Sequence, residues 1–197
     1  SWVTERSLAR PTSSTGAAVW RRPLTWVMAV AFAAQTFSYY AISGWLPTAL
    51  VDELSMSESG AGVAASVFSL LGIVGPLLVP VMFEALGWPA SRVLGVICAC
   101  WLMLPVCLTV APAYWLVPCM FSGIAHRRSE SVDENRRTTA VIQTTGYCLA
   151  ATGPVVMGWV HEHSGGWVAP FAMVVGVLVL MTVCAQIVAH AGDSGKP

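Results

Sequence analysis

The 197-residue chain is 56% hydrophobic and 10% charged, and its ten Lys and Arg balance its ten Asp and Glu; its mean hydropathy is +0.68. Soluble domains carry about 25% charged residues, so composition argues against a soluble globular fold, a disordered chain or a coiled coil. The lack of a basic patch to neutralise phosphates also argues against a nucleic-acid binder. An all-α, polytopic membrane protein is what remains, with room for about five to seven spans of about 20 residues each.

Residues 1–22, rich in Ser, Thr, Arg and Pro, read as an aqueous tail or linker rather than a signal peptide, because no apolar h-region is present. The first span is expected over 24–46, closed by Pro47. In the loop that follows, Ser55-Met56-Ser57-Glu58 fits a capping box opening the next helix. That second span is expected over 61–83, a turn containing Gly87 and Pro89 follows, and the third span is expected over 93–110. The fourth apolar stretch, 113–125, gives only about 20 Å of helix, short of the roughly 30 Å hydrocarbon core. The fifth and sixth spans are expected over 138–160 and 167–189, within a bundle ending near residue 190, and 191–197 form a polar tail.

The basic residues order these segments. Arg6, Arg10, Arg21 and Arg22 precede the first span, Arg92 lies between the second and third, Arg127, Arg128, Arg136 and Arg137 lie between the fourth and fifth, and Lys196 ends the chain. Every Lys and Arg therefore falls on alternate aqueous segments, the positive-inside pattern of six spans with both ends cytoplasmic in a cell membrane. The same parity requires the short fourth stretch to cross.

Polar side chains in hydrocarbon mark helix interfaces and solute pathways. Gln35-Thr36-Phe37-Ser38-Tyr39-Tyr40 and Gln143-Thr144-Thr145-Gly146-Tyr147 each contain Q-x-x-x-Y, which puts an amide and a phenol on one helix face. Gln35 lies about 16 Å and Tyr147 about 13 Å into their spans by helical rise, so both fall near the midplane, where secondary transporters hold substrate. Two readings stay open for each residue: hydrogen bonding between helices alone, or contact with a solute. Gly72, Gly75, Pro76 and Pro80 in the second span, and Gly146, Gly153, Pro154 and Gly158 in the fifth, would allow close helix contacts.

No Asp, Glu, Lys, Arg or His lies well inside a span. A membrane enzyme would need such a group as base or metal ligand, so none is expected, nor is a cofactor or a metal site. His161-Glu162-His163 reads as a solvated loop. Cys98, Cys100, Cys107, Cys119, Cys148 and Cys184 all lie in apolar runs and read as small buried residues rather than disulfides or ligands.

The stretches Trp20-Arg21-Arg22-Pro23-Leu24-Thr25-Trp26, Gln35, Tyr39-Tyr40, Trp45-Leu46-Pro47 and Leu54-Ser55 to Ala61-Gly62 resemble the seventh span and following loop of the cyanate/2-nitroimidazole transporters of the major facilitator superfamily. Gln143 to Pro154, then Gly158, His161 and Gly166-Trp167, resembles the eleventh span and the start of the twelfth. The resemblance implies the C-terminal six-helix half of a twelve-helix transporter that moves a small polar or anionic solute by alternating access. Its partners would be the solute, the lipid bilayer and an N-terminal half. Gln35, Tyr39 and Tyr40 match positions in a cavity-lining helix of that family, and Gln143 and Tyr147 match the polar pair of its eleventh span; these five are the candidate solute-binding residues. Two departures, the short 113–125 stretch and the degenerate basic turn at Glu84, Gly87 and Arg92, leave a second expectation: a truncated or degenerate membrane module with no transport of its own.

The charge map makes a direct prediction. Accessibility tags placed beside Glu53 and beside Arg128 are expected to report opposite compartments in intact cells; one shared compartment would overturn the span order.

Overall fold

Helix α1, Pro23–Leu54, is the element on which the others are assembled. Pro23 starts it where a missing N–H has no consequence, and its 32 residues span about 48 Å. The computed structural model describes residues 23–71, 87–110 and 136–193. The other described helices are α2 (Glu58–Leu71), α3 (Ala90–Val110), α4 (Arg136–Ala150), α5 (Gly153–Ser164) and α6 (Val168–Asp193), and no strand occurs among the described residues. The fourth stretch at 113–125, the end of the second span and both tails lie outside the described residues.

Pro47 does not close the first helix as expected; α1 runs through it to Leu54. Proline removes one backbone donor, but the turns beyond it are held by tertiary contacts. Leu46, Ala49 and Leu50 are buried in the core, and the Trp167 indole N–H donates to Asp52 Oδ2 at 2.9 Å. Ser55, at φ 51°, ends the helix in the left-handed conformation that usually calls for glycine.

The start of α2 also differs from expectation. Ser57, not Ser55, is the cap: its Oγ accepts the Gly60 N–H at 3.2 Å, and its carbonyl accepts the Ala61 N–H at 2.9 Å. Glu58 opens the helix itself, so it sits one residue from the cap rather than at the third position that a capping box requires.

The expected fifth span is two helices. Pro154 has no N–H to return to Ala150, and residues 151–152 form a turn in which the Thr152 N–H bonds Leu149 O at 3.1 Å. The Thr152 hydroxyl donates to the same carbonyl at 2.7 Å. Helix α5 then extends past the expected end of the span, and Gly165, at φ 69°, closes it with its N–H on His161 O. His161, Glu162 and His163 are therefore the last turn of a helix and not a loop, and His161 is half-buried.

Contacts fix the helix directions. Phe32 of α1 meets Gly146, Ala41 meets Gly153 and Trp45 meets Gly158, so α1 and α4–α5 run parallel. Trp167, at the start of α6, packs on Trp45 near the end of α1, so α6 runs back. Gln186 near the end of α6 reaches Ser91 at the start of α3, so α3 is antiparallel to α6. Val110 thus lies toward the end of the bundle where α1 finishes, and Arg136 toward the end where α1 begins.

The α1 seam is tight because it meets glycine. The Phe32 ring occupies the space a methyl group at Gly146 would need, and a Cβ at Gly153 would sit 2.7 Å from the Phe37 carbonyl and 3.3 Å from the Ala41 nitrogen. On the other side of α1, Phe68 of α2, Trp101 and Leu104 of α3, and Phe171, Val174 and Leu178 of α6 join one apolar core.

The outer faces are apolar too. Val96, Met103 and Val106 on α3 and Val179, Val183 and Ile187 on α6 are exposed. Ser91–Val110 and Val168–Ala191 are long and apolar enough to cross a membrane, yet only 33% and 28% of these windows is buried inside the protein. A helix apolar all round with most of its surface uncovered is suited to lipid rather than water. The cysteines conform in part: Cys98 and Cys184 are buried, Cys148 is exposed, and none of these, nor Cys100 or Cys107, forms a disulfide. Cys119 lies outside the described residues.

Two stability outcomes follow from the backbone. Gly153→Ala is expected to cost about 1–3 kcal/mol, because the atom it meets is backbone and cannot swing away. Ser55→Gly is expected to add about 0.5–1 kcal/mol by relieving the left-handed conformation. Thermal unfolding in one detergent checks both.

Candidate solute-binding site

The polar cluster of the first span divides into groups with different environments. Thr36 and Ser38 are buried, and their hydroxyls serve their own helix. Thr36 Oγ1 lies 2.8 Å from Phe32 O and Ser38 Oγ 2.8 Å from Ala34 O. Each hydroxyl has one proton, and this back-bonding to the preceding turn uses it. The same Thr36 oxygen stands 3.3 Å from the Gly146 carbonyl, which sets the level of α1 against α4. Gln35 and Tyr147 each neighbour one member of this contact, so they lie at a similar level of the bundle.

The five candidate residues are not equally placed. Gln35 is only 4% exposed and lies inside the bundle. Tyr39 is half-buried and belongs to an aromatic group, stacked on Phe68 with centroids 5.6 Å apart and edge-on to Trp101 at 6.3 Å. Tyr40 and Tyr147 are 41% and 42% exposed, and Gln143 is half-buried. Helical spacing puts Gln143 and Tyr147 on one face of α4, and the same holds for Gln35 and Tyr39 on α1, where the face points toward α2 and α3. Tyr40 lies one turn beyond Thr36, on the side of α1 that meets α4.

Both exposed phenols rest edge-on against another ring. Tyr147 meets Phe32 with centroids 5.7 Å apart and an interplanar angle of 86°. Tyr40 meets Tyr39 at 5.4 Å and 82°. Such pairs contribute about 0.5–1.5 kcal/mol beyond the area they bury. A phenol both donates and accepts a hydrogen bond and offers an apolar ring face.

A second group lies at the end of the bundle where α1 finishes. The Trp45 indole N–H donates to Pro154 O at 2.7 Å, and the Trp167 indole N–H to Asp52. His161 stacks on Trp167 with centroids 4.0 Å apart, and its Nδ1 lies 3.2 Å from Gly166 O. These side chains fasten α1 to α5 and α6. Trp45 is hydrogen-bonded and Trp167 is buried at 3% exposure, so the group is packed structure rather than an open site. Among the described residues no three of His, Cys, Asp and Glu come together in a way that could hold a metal ion.

Phe32, Phe68, Trp101, Trp45 and Asp52 were not singled out as candidates by sequence reasoning. Their partners are on other helices, and no local spacing announces such pairs. The weak signal for Phe32 and Trp45 was their glycine partners, Gly146 and Gly158.

Comparison with known proteins finds similarity to two proteins named as transporters. It is 27% identical over 179 residues to the 2-nitroimidazole transporter of Escherichia coli (strain K12), covering 84% of this chain and 44% of that protein. It is 20% identical over 181 residues to the uncharacterized transporter YycB of Bacillus subtilis (strain 168), covering 85% of this chain and 45% of that protein. The chain spans about half the length of the curated relatives it matches. No protein-family profile matches it, and no solved structure does. Two of its helices are long and apolar enough to cross a membrane.

Proposed function

We propose that the chain is the C-terminal six-helix half of a major facilitator transporter of the cyanate/2-nitroimidazole type, carrying a small polar or anionic solute across the cell membrane by alternating access. The observation that carries this reading is the similarity to two transporters over most of the chain and just under half of theirs. The helix directions support it. Helix α3 ends at the end of the bundle where α1 ends and α4 begins where α1 begins, which is the order that six alternating spans with cytoplasmic termini would have. The partner would be the other six-helix half, and no covalent chemistry is involved.

The solute would bind at the seam of α1 and α4. The exposed Tyr40 and Tyr147 and the half-buried Gln143 would form its face, with Tyr39 and Gln35 more deeply placed. Tyr40 is displaced by about 100° around the helix from Tyr39. That displacement is what turns Tyr40 outward while Tyr39 enters the core. Rocking of one half against the other would alternate access to this face.

Uptake of labelled 2-nitroimidazole and of small anions by the complete gene product tests the proposal. Tyr147→Phe and Tyr40→Phe are each expected to raise KM about three- to tenfold, the effect of losing one hydrogen bond of about 0.5–1.5 kcal/mol, with membrane insertion unchanged. Gln35→Ala is expected to lower uptake too. Unaltered kinetics in Tyr147→Phe and Gln35→Ala together would remove the site assignment, and absence of uptake for every probe would favour the module without transport.

A further inference from the structure

We infer that Phe32 is a positioning residue for solute binding: its buried ring, seated on the bare backbone of Gly146, fixes the orientation of the exposed Tyr147 ring. The inference rests on the reading of Tyr147 as a solute contact and adds a residue that makes no such contact itself.

Tyr147 is 42% exposed, whereas Phe32 is 5% exposed. Exposed side chains ordinarily move among rotamers, and a binding phenol that does so must be ordered at each binding event, at a cost in affinity. Here the Tyr147 ring has a fixed neighbour. Phe32 stands perpendicular to it, at 86° and 5.7 Å, the edge-to-face geometry that aligns the positive edge of one ring with the negative face of the other.

Phe32 in turn has no freedom to withdraw. Its ring lies where the Cβ of any residue other than glycine at 146 would be, and it packs with Ala29 and Ile142 in a small cluster separate from the main core. Thr36, one turn on, has its Oγ1 3.3 Å from the Gly146 carbonyl oxygen, so the two backbones are close at this level. Gly146 and Tyr147 are adjacent, so the residue whose missing side chain admits Phe32 is next to the residue Phe32 orients. The second exposed phenol has a comparable support, since Tyr40 leans edge-on on Tyr39, which stacks on the buried Phe68.

The test separates orientation from transport. The chain has four tyrosines, so 3-fluorotyrosine labelling gives a small set of fluorine resonances in detergent, assigned by single Tyr→Phe variants. Phe32→Leu and Phe32→Met keep an apolar side chain on Gly146 but remove the ring. Either is expected to move the Tyr147 resonance by more than those of Tyr39 and Tyr40, whose unmoved signals report an intact fold. A Tyr147 resonance that stays in place in both variants overturns the inference. In uptake of labelled 2-nitroimidazole by the complete gene product, Phe32→Leu is expected to raise KM about three- to tenfold with little change in Vmax. Combined with Tyr147→Phe it should add less than a further twofold, because the hydroxyl it positions is already gone. Independent, multiplying effects on KM would make Phe32 a packing residue only. If the resonance moves but Tyr147→Phe leaves KM unchanged, the solute-contact reading fails, and the positioning role fails with it.

Discussion

The parallel seam between α1 and α4–α5 is the constraint on which the rest depends. Three positions on one side of it, Gly146, Gly153 and Gly158, lack the atom that would hold the helices apart, and α1 fills the space with Phe32, its own backbone near Phe37 and Ala41, and Trp45. In a bilayer there is little hydrophobic gain in bringing two helices together, so dispersion contacts and interhelical hydrogen bonds must do it. The indole of Trp45 supplies one such bond, to a carbonyl beside the helix break. The seam sets the level of α4, and with it the height at which Tyr147 emerges.

Breaks and caps are placed by the same logic. Pro47 interrupts a hydrogen bond but not the helix, because Leu46, Ala49 and Leu50 are buried and Trp167 holds Asp52. Pro154 does interrupt its helix, since the Leu149 carbonyl is occupied by the Thr152 N–H and hydroxyl. Proline therefore has no single meaning in these spans. Its effect depends on whether neighbouring helices hold the residues on both sides, which the local sequence does not state.

Polarity within the bundle also has two meanings. The hydroxyls of Thr36 and Ser38 are bound within their own helix and have no proton left for a solute. Tyr40 and Tyr147 are exposed. The Q-x-x-x-Y spacing correctly puts an amide and a phenol on one helix face, but on α1 that face turns inward, toward Phe68 and Trp101. The amphipathic pattern that would tell inside from outside is missing, because lipid and protein core are both apolar.

The sequence by itself determined that the chain is helical and strongly apolar: 10% charge at 56% hydrophobic content argues against a soluble fold, and both statements survive any rearrangement of the helices. It also located the third and sixth helices to within a few residues and named the glycines of the seam, because hydropathy and the absence of a side chain are properties of single residues. Tertiary structure alone decided which way each polar face points, where Pro47 and Pro154 act, that Ser57 rather than Ser55 caps α2, and that Phe32 stands against Tyr147. Those are relations between helices distant in the chain, fixed by how side chains of particular volume meet across a seam, and no local period encodes them.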